Sequence, residues 1–288
     1  MAASPGSLGV DWLAVCRRAA ERVRTTLARY PTSAERAVET GRGEGGDTAL
    51  VIDRAAEDAV LEELDALGVP LTVVSEERGE LTLAGGGPVH VVVDPIDGSL
   101  NAKRGLPFAS VSIAVAGGPA LPDVDFGYVA ALDPEREWWA ERGGGAFADG
   151  ERLRPLAPGP LEILGLETAR PELVAKAAPA LASLNARRIR AIGSVAVTLA
   201  FVADGSLDAM LSLRSVRSVD AAAGVLLVEE AGGVARYADV AGHPPLGLGM
   251  RSRVFAARDQ SMLDSLLVEF PLWISSGPDG ERGPGWQG

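Results

Sequence analysis

From Asp11 to Tyr30 the apolar residues Leu13, Cys16, Ala20, Val23 and Leu27 recur at spacings of three and four with arginines between them, which predicts an amphipathic helix. "RAAEDAVLEELDALG" repeats that period through Ala56, Val60, Leu64 and Leu67, and Gly68 reads as its C-terminal stop. The intervening "ETGRGEGGDT" is rich in glycine and charge and predicts a mobile loop, with Gly41 to Gly46 placed as a lid would be. Strand-like runs follow, "LTVVS", "VHVVVD", "FASVSIAVA", "DFGYVAAL" and "REWWAER", separated by Gly and Pro, the pattern of a mostly antiparallel sheet. After "GERLRPLAPGP" strands and helices alternate: "LEILGLE", a helix from Pro171 to about Leu184, "RRIRAIG", a helix from about Val195 to Ala203, "LDAMLSL", a helix from about Ala221 to Ala231, "SRVFAA", and a helix to Phe270. Helices and sheets should therefore be layered, with a seam between lobes near Pro155 to Pro160 and a Gly/Pro tail at the C-terminus.

Charge and composition narrow the function. With 27 Lys and Arg against 39 Asp and Glu the net charge is -12, which argues against nucleic acid polymers and anionic membranes as partners. An anionic small substrate would then need local neutralisation by cations or backbone N–H groups. The single cysteine, Cys16, excludes an internal disulfide and a cysteine-based zinc cluster. The two histidines, His90 in an apolar strand and His243 in "AGHPPLG", read as satisfied or solvated rather than catalytic. No apolar stretch approaches the roughly 20 residues needed to span a bilayer, and "MAASPGSLG" lacks the blocks of a signal peptide, so the expected location is cytoplasmic.

Candidate chemistry gathers where apolar runs end. In "VHVVVDPIDGSLN" a strand stops at Asp94 and Asp97, three residues apart; Pro95 keeps Asp94 extended and Gly98 permits an abrupt turn. Both carboxylates and the Ile96 carbonyl then face one point, a ligand set for a hard cation. A helix starting at Ser99 would add the N–H groups of Gly98 and Ser99 for an anion. The same residues also suit a plain turn with a helix cap. Glu76 and Glu77 end another strand, and Asp53 and Asp220 stand before helices, where each alone reads as an N-cap. Together they put acids at strand ends and helix starts, where layered folds assemble sites.

"SEE" (Ser75 to Glu77), "DPIDGS" (Asp94 to Ser99) with Asn101, "VDAAAG" (Val219 to Gly224) and "EAGG" (Glu230 to Gly233), in this order, resemble the motif set of the inositol monophosphatase family of Mg²⁺-dependent, lithium-sensitive sugar phosphatases. The resemblance runs from about Asp11 to Phe270, and "DPIDGSLNAKRGLPF" looks most like the archaeal-type branch acting on inositol phosphates and fructose 1,6-bisphosphate. It implies an α/β (α+β layered) fold, an alternating α-β-α-β-α sandwich. It also implies a single phosphatase domain at 10–275, with lobes at 10–155 and 156–275 and flexible tails at 1–9 and 276–288.

For the site, the resemblance implies two or three Mg²⁺ ions. Glu76, Asp94 and the Ile96 carbonyl would hold the first, Asp94, Asp97 and Asp220 the second, and Glu76 would reach a weaker third through water. Ser99, with Asp53 behind it, would orient the attacking water, and Gly98 and Ser99 would hold the phosphate. Asp97 and Gly193, Ser194 and Val195 would line the substrate. A homodimer is implied in the same way. Apart from the resemblance, Arg214 and Arg217 lie near the motifs in sequence and read equally as partners for a second phosphate or as solvated surface cations.

Metal chemistry needs neither histidine nor a covalent nucleophile, which suits this composition. Two departures bear on specificity. Val219 stands where the family commonly has Trp, and Leu213 stands where the inositol enzymes often carry an acid. The expected function is a phosphomonoesterase for an inositol monophosphate or related sugar phosphate. The alternatives are fructose-1,6-bisphosphatase, histidinol-phosphatase, 3'(2'),5'-bisphosphate nucleotidase and, from another class, a non-catalytic metal-binding regulatory protein.

Overall fold

The apolar stripe that opens the chain forms α1, Trp12–Leu27, started by the Asp11 carboxylate, which accepts the Ala14 N–H at 3.0 Å. The computed structural model describes residues 9–45, 48–168 and 170–270, so the expected tails at 1–9 and 276–288 lie outside the described residues apart from Gly9. Trp12, Val15, Cys16, Ala19, Ala20 and Val23 are the buried face of α1, and it packs on α3, Val51–Asp65.

The segment expected to be a mobile loop is partly ordered by pairing. Glu39–Arg42 (β1) lies antiparallel to Thr48–Leu50 (β2), after the four-residue helix α2, Ser33–Arg36. Gly45 N–H donates to the Glu76 carbonyl at 2.9 Å, and Glu44 N–H to the Glu77 carbonyl at 3.1 Å. Backbone pairing offsets the weak strand propensity of this Gly-rich sequence. Gly46 and Asp47 lie outside the described residues.

The five strand-like runs become β3 (Leu71–Ser75), β5 (His90–Asp97), β6 (Ser110–Ala116), β7 (Val124–Ala131) and β8 (Arg136–Glu141), and with the unexpected short strands β4 (Gly79–Leu83), β9 (Gly145–Ala148) and β10 (Glu151–Arg152) they build an eight-stranded sheet. Its order is β10-β9-β8-β7-β6-β5-β3-β4, antiparallel as expected except that β3 runs parallel to β5. Residue parity sorts the two faces. Val73, Val91, Val93, Val111, Ile113 and Val115 join the core under α1 and α3, while Val74, Val92, Ala114, Val129 and Trp138 join the opposite core.

A short helix, α4 (Ser99–Arg104), follows β5. Past the seam come β11 (Ile163–Glu167), α5 (Pro171–Ser183), β12 (Arg188–Arg190), α6 (Val195–Asp204), β13 (Ala209–Ser212), β14 (Val216–Arg217), α7 (Ser218–Glu230), β15 (Val234–Tyr237), β16 (Arg251–Ser252), β17 (Val254–Ala257) and α8 (Gln260–Glu269). β12-β11-β13-β17-β15 form a five-stranded mixed sheet, and β14 pairs separately with β16. Helices α6 and α7 lie between the two sheets, and α5 and α8 cover the far face of the second. The layers therefore run helix, sheet, helix, sheet, helix, the expected α-β-α-β-α sandwich.

The middle layer depends on small residues. A Cβ on Gly224 of α7 would sit 2.6 Å from the Leu199 Cβ of α6, and one on Gly127 of β7 would sit 2.8 Å from the Ala223 carbonyl. Both positions let backbones approach more closely than a side chain permits. Gly224→Ala should therefore lower unfolding stability by about 1–3 kcal/mol through overpacking, measured as a shift of the urea midpoint; an unchanged midpoint would show that α6 yields freely.

Candidate active site

Asp94 and Asp97 are three residues apart on β5, a spacing that in a regular strand would aim them at opposite faces. The pairing explains how they share one. Asp94 lies opposite Ser112 and Asp97 opposite Ser110, so three steps on β5 match two on β6, and the extra residue is a bulge. Ile96 falls on the other side, in the core under α1 and α3. Inside the bulge the Asp94 Oδ1 accepts the Ile96 N–H at 3.0 Å, and the Ile96 carbonyl accepts the Ser99 hydroxyl at 3.0 Å. Gly98 closes the turn at φ 89°, and a Cβ there would come 2.9 Å from the Gly193 carbonyl.

Asp220 comes from α7 and Asp53 from α3, each in the third helical position and not ahead of the helix as the sequence suggested. Asp220 Oδ2 accepts the Arg217 N–H at 2.8 Å and Asp53 Oδ2 accepts the Leu50 N–H at 3.0 Å. Each acid thereby holds the N-cap backbone and extends its helix by two or three residues toward the N-terminus, where the helix dipole favours negative charge. Glu76 immediately follows β3, which runs parallel to β5, so two strand ends and one helix start converge. Glu76, Asp94 and Asp220 each offer an oxygen within 4.8 Å of the other two.

Asp97 lies beside this trio but is engaged on the α6 side. Its Oδ2 accepts the Ser194 hydroxyl and the Ala196 N–H, both at 2.6 Å. Ser194 is also the N-cap of α6 and accepts the Val197 N–H at 3.1 Å. Gly193 and Val195 flank that cap, with Asn101 Nδ2 donating to the Ile192 carbonyl at 2.8 Å. The two predicted arginines separate. Arg217 reaches the acids, with Nη1 2.6 Å from Glu76 Oε1 and Nη2 3.0 Å from Asp220 Oδ1. Arg214 sits in the turn after β13, its N–H donating to Thr168 Oγ1 at 2.8 Å. His90 is at the far end of β5, its Nδ1 2.9 Å from the Pro88 carbonyl.

Crowding sets the electrostatics. Burial, reinforced by Glu76, Asp97 and Asp220, pushes Asp94 well above the usual carboxylate range. Burial and the neighbouring Asp220 take Asp97 to about 8. Burial likewise raises Glu76 to about 7, with Asp220 adding and Arg217 opposing. Glu77, behind Glu76, is raised to about 8 by burial and then by Glu76, Asp53 and Glu57. Asp53 is pushed up to about 6 by burial, with the Leu50 N–H, Ser99 and Lys103 pulling it back; its Oδ1 is buried without a hydrogen-bond partner. A pocket of oxygen donors that raise one another's proton affinity fits a divalent hard cation, which would relieve the same repulsion.

Glu167 escaped the sequence reading. It ends β11, only 3% exposed, and its carboxyl accepts the Ile192 N–H at 3.0 Å, the Gly193 N–H at 3.2 Å and the Thr198 hydroxyl at 2.7 Å. It thus fixes the loop that presents Gly193 and Ser194. The available signal was the one that marked Glu76, an acid closing an apolar strand.

The description of the Inositol monophosphatase family matches residues 11–270. A fructose-1,6-bisphosphatase/inositol-1-monophosphatase of Archaeoglobus fulgidus is 40% identical over 228 residues, which is 77% of this chain and 83% of that protein. A protein of the same name from Thermococcus kodakarensis is 33% identical over 264 residues, 89% of this chain and 96% of its own. The crystal structure of an inositol monophosphatase-fructose 1,6 bisphosphatase shares the fold, with TM-score 0.78 at 24% identity over 90% of this chain and 100% of that one. The chain belongs to the inositol monophosphatase family and, with it, to the phosphoric monoester hydrolases.

Burial raises Glu167 from 4.5 to about 7. Between those values the folded chain keeps a proton that the unfolded chain has lost, so stability falls as pH rises through this window and levels off above it. Glu167→Gln should flatten the urea midpoint between about pH 5 and pH 7 relative to the parent; an equally steep dependence would assign the titration to other groups.

Proposed function

We propose that the chain is a Mg²⁺-dependent phosphomonoesterase for an inositol monophosphate or a related sugar phosphate. The observation that carries this reading is the meeting of Glu76, Asp94 and Asp220 oxygens within 4.8 Å, with Asp97 turned to the same face by the β5 bulge. Glu76, Asp94 and the Ile96 carbonyl are assigned to one cation and Asp94, Asp97 and Asp220 to a second, with Glu76 toward a weaker third. When bound, such cations supply charge neutralisation and Lewis acidity toward the phosphate and the entering and leaving oxygens.

The remaining roles fall to the chain itself. Ser99 Oγ orients the attacking water; when the Ile96 carbonyl is given over to a cation, the Ser99 hydroxyl that now donates to it is free to turn to the unpartnered Oδ1 of Asp53, passing its own proton there as it takes one from the water. Gly98 and Ser99, at the turn into α4, present backbone N–H groups to the phosphate. Asp97 and the Gly193, Ser194 and Val195 loop, held by Glu167, line the alcohol.

Substrate choice has a second reading. Leu213 is 1% exposed and packed in the core with Leu211 and Phe255, so no acid meets sugar hydroxyls from that position. This favours tolerance for fructose 1,6-bisphosphate beside inositol phosphates, in keeping with the names of the two relatives.

The unit proposed is a single phosphatase domain over 10–275, supported by the family match, with the eight-stranded sheet in the lobe 10–155 and the five-stranded sheet in the lobe 156–275. A homodimer is part of the reading, with Leu100 and Leu106, 66% and 55% exposed, as apolar surface for a partner subunit to cover. A cytoplasmic setting is supported by the lone, buried Cys16. Among the described residues no helix is long and apolar enough to cross a membrane.

Phosphate release from inositol 1-phosphate and fructose 1,6-bisphosphate should require Mg²⁺, stop with EDTA and fall with Li⁺. Asp97→Asn should cut turnover by about 100-fold or more while leaving the circular dichroism spectrum unchanged. No Mg²⁺-dependent release from either ester would refute the function, and an active Asp97→Asn enzyme would refute the second cation site.

A further inference from the structure

The acidic cluster is already engaged by a cation of the chain's own. Arg217 is the N-cap of α7, and the two-residue ribbon of β14 with β16 sets it opposite Arg251. Its Nη1 lies 2.6 Å from Glu76 Oε1, while Nη2 and Nε lie 3.0 and 3.2 Å from Asp220 Oδ1. The side chains of all three residues are about nine-tenths buried. The guanidinium is therefore clasped by two of the three carboxylates of the cluster, not placed beside it.

The chain around it limits where the guanidinium sits. Gly45 lies against it so closely that a Cβ there would be 2.6 Å from Arg217 Nη1. Gly45 in turn is tied to the Glu76 carbonyl through its N–H at 2.9 Å, and its own carbonyl accepts from Arg251 Nη2 at 3.0 Å. A divalent ion drawing on Glu76 and Asp220 would have to share their oxygens with a positive charge at contact distance, or displace it. At that separation in a buried site, like-charge repulsion is large.

We propose that Arg217 is a resident counter-ion of the metal centre, competing with the divalent cation for Glu76 and Asp220 and so setting how much metal the protein needs. The inference rests on the metal-site reading of the cluster and adds to it a residue that tunes affinity. Two consequences separate competition from ordinary stabilisation. Removing the guanidinium strengthens metal binding, and it weakens the metal-free fold, because the buried carboxylates of Glu76 and Asp220 lose a cation at contact distance.

The test is calorimetric titration of Mg²⁺ into chelator-treated, full-length protein, with thermal melting of the same samples. Arg217→Met should bind Mg²⁺ about tenfold tighter or better than the parent. It should melt below the parent in EDTA and approach it in saturating Mg²⁺. Arg217→Lys, which keeps the charge but not the fork, should fall between them and serves where the Met variant does not fold. A folded Arg217→Met or Arg217→Lys protein with parental or weaker Mg²⁺ affinity would overturn the competition while leaving the metal site standing. Absence of Mg²⁺ binding by the parent and the variants alike would overturn both.

Discussion

Everything in this molecule's site turns on the crowding of buried carboxylates. Glu76, Asp94, Asp97 and Asp220 repel one another in a place where water does not screen them, and burial together with this crowding raises Glu76, Asp94 and Asp97 above the usual carboxylate range. A fold tolerates such an arrangement only with positive charge at its centre. Hydrogen bonds from Ser194, Ala196 and the Arg217 N–H offset part of the cost, and the Arg217 guanidinium offsets more. The remainder is what gives the site its appetite for a hard divalent cation, and so lets a chain of net charge -12 handle an anionic ester.

The scaffold exists to hold those groups against their repulsion. β5 is central in the large sheet and buried on both faces, so its bulge is fixed by pairing with β6 and by the cores above and below. α7 is clamped between two sheets with Gly224 and Gly127 permitting close approach, and it delivers Asp220 by its first turn. α6 delivers Ser194 and the Ala196 N–H to the second carboxylate of the same bulge. Three elements distant in sequence thus carry the site as one rigid corner.

Periodicity made much of this legible. The 3.6-residue stripe of α1, the apolar runs of the large sheet and the alternation in the second half all appear as elements, and the layered fold follows. Acids closing apolar runs pointed to Glu76, Asp94 and Asp97, and their order along the chain tied them to a family. Pattern was silent where long-range contacts decide. The parallel pairing of β3 with β5, the bulge that turns Asp97 around, and the hairpin of β1 with β2 in a Gly-rich stretch all depend on partners far away or on backbone bonding. Helix starts were misplaced because Asp53 and Asp220 hold backbone N–H groups from inside the first turn. Arg217 stood near the motifs in sequence, yet only the β14–β16 ribbon shows that it enters the cluster.

The central claim is that these carboxylates form one divalent-cation centre. Anomalous diffraction from crystals grown with Mn²⁺ tests it most directly. A peak about 2.2 Å from carboxylate oxygens of Glu76 and Asp94, with Asp220 or Asp97 completing the shell of a neighbouring ion, is the predicted result. An absence of anomalous density at the end of β5, or ions bound only at surface acids, would contradict the account.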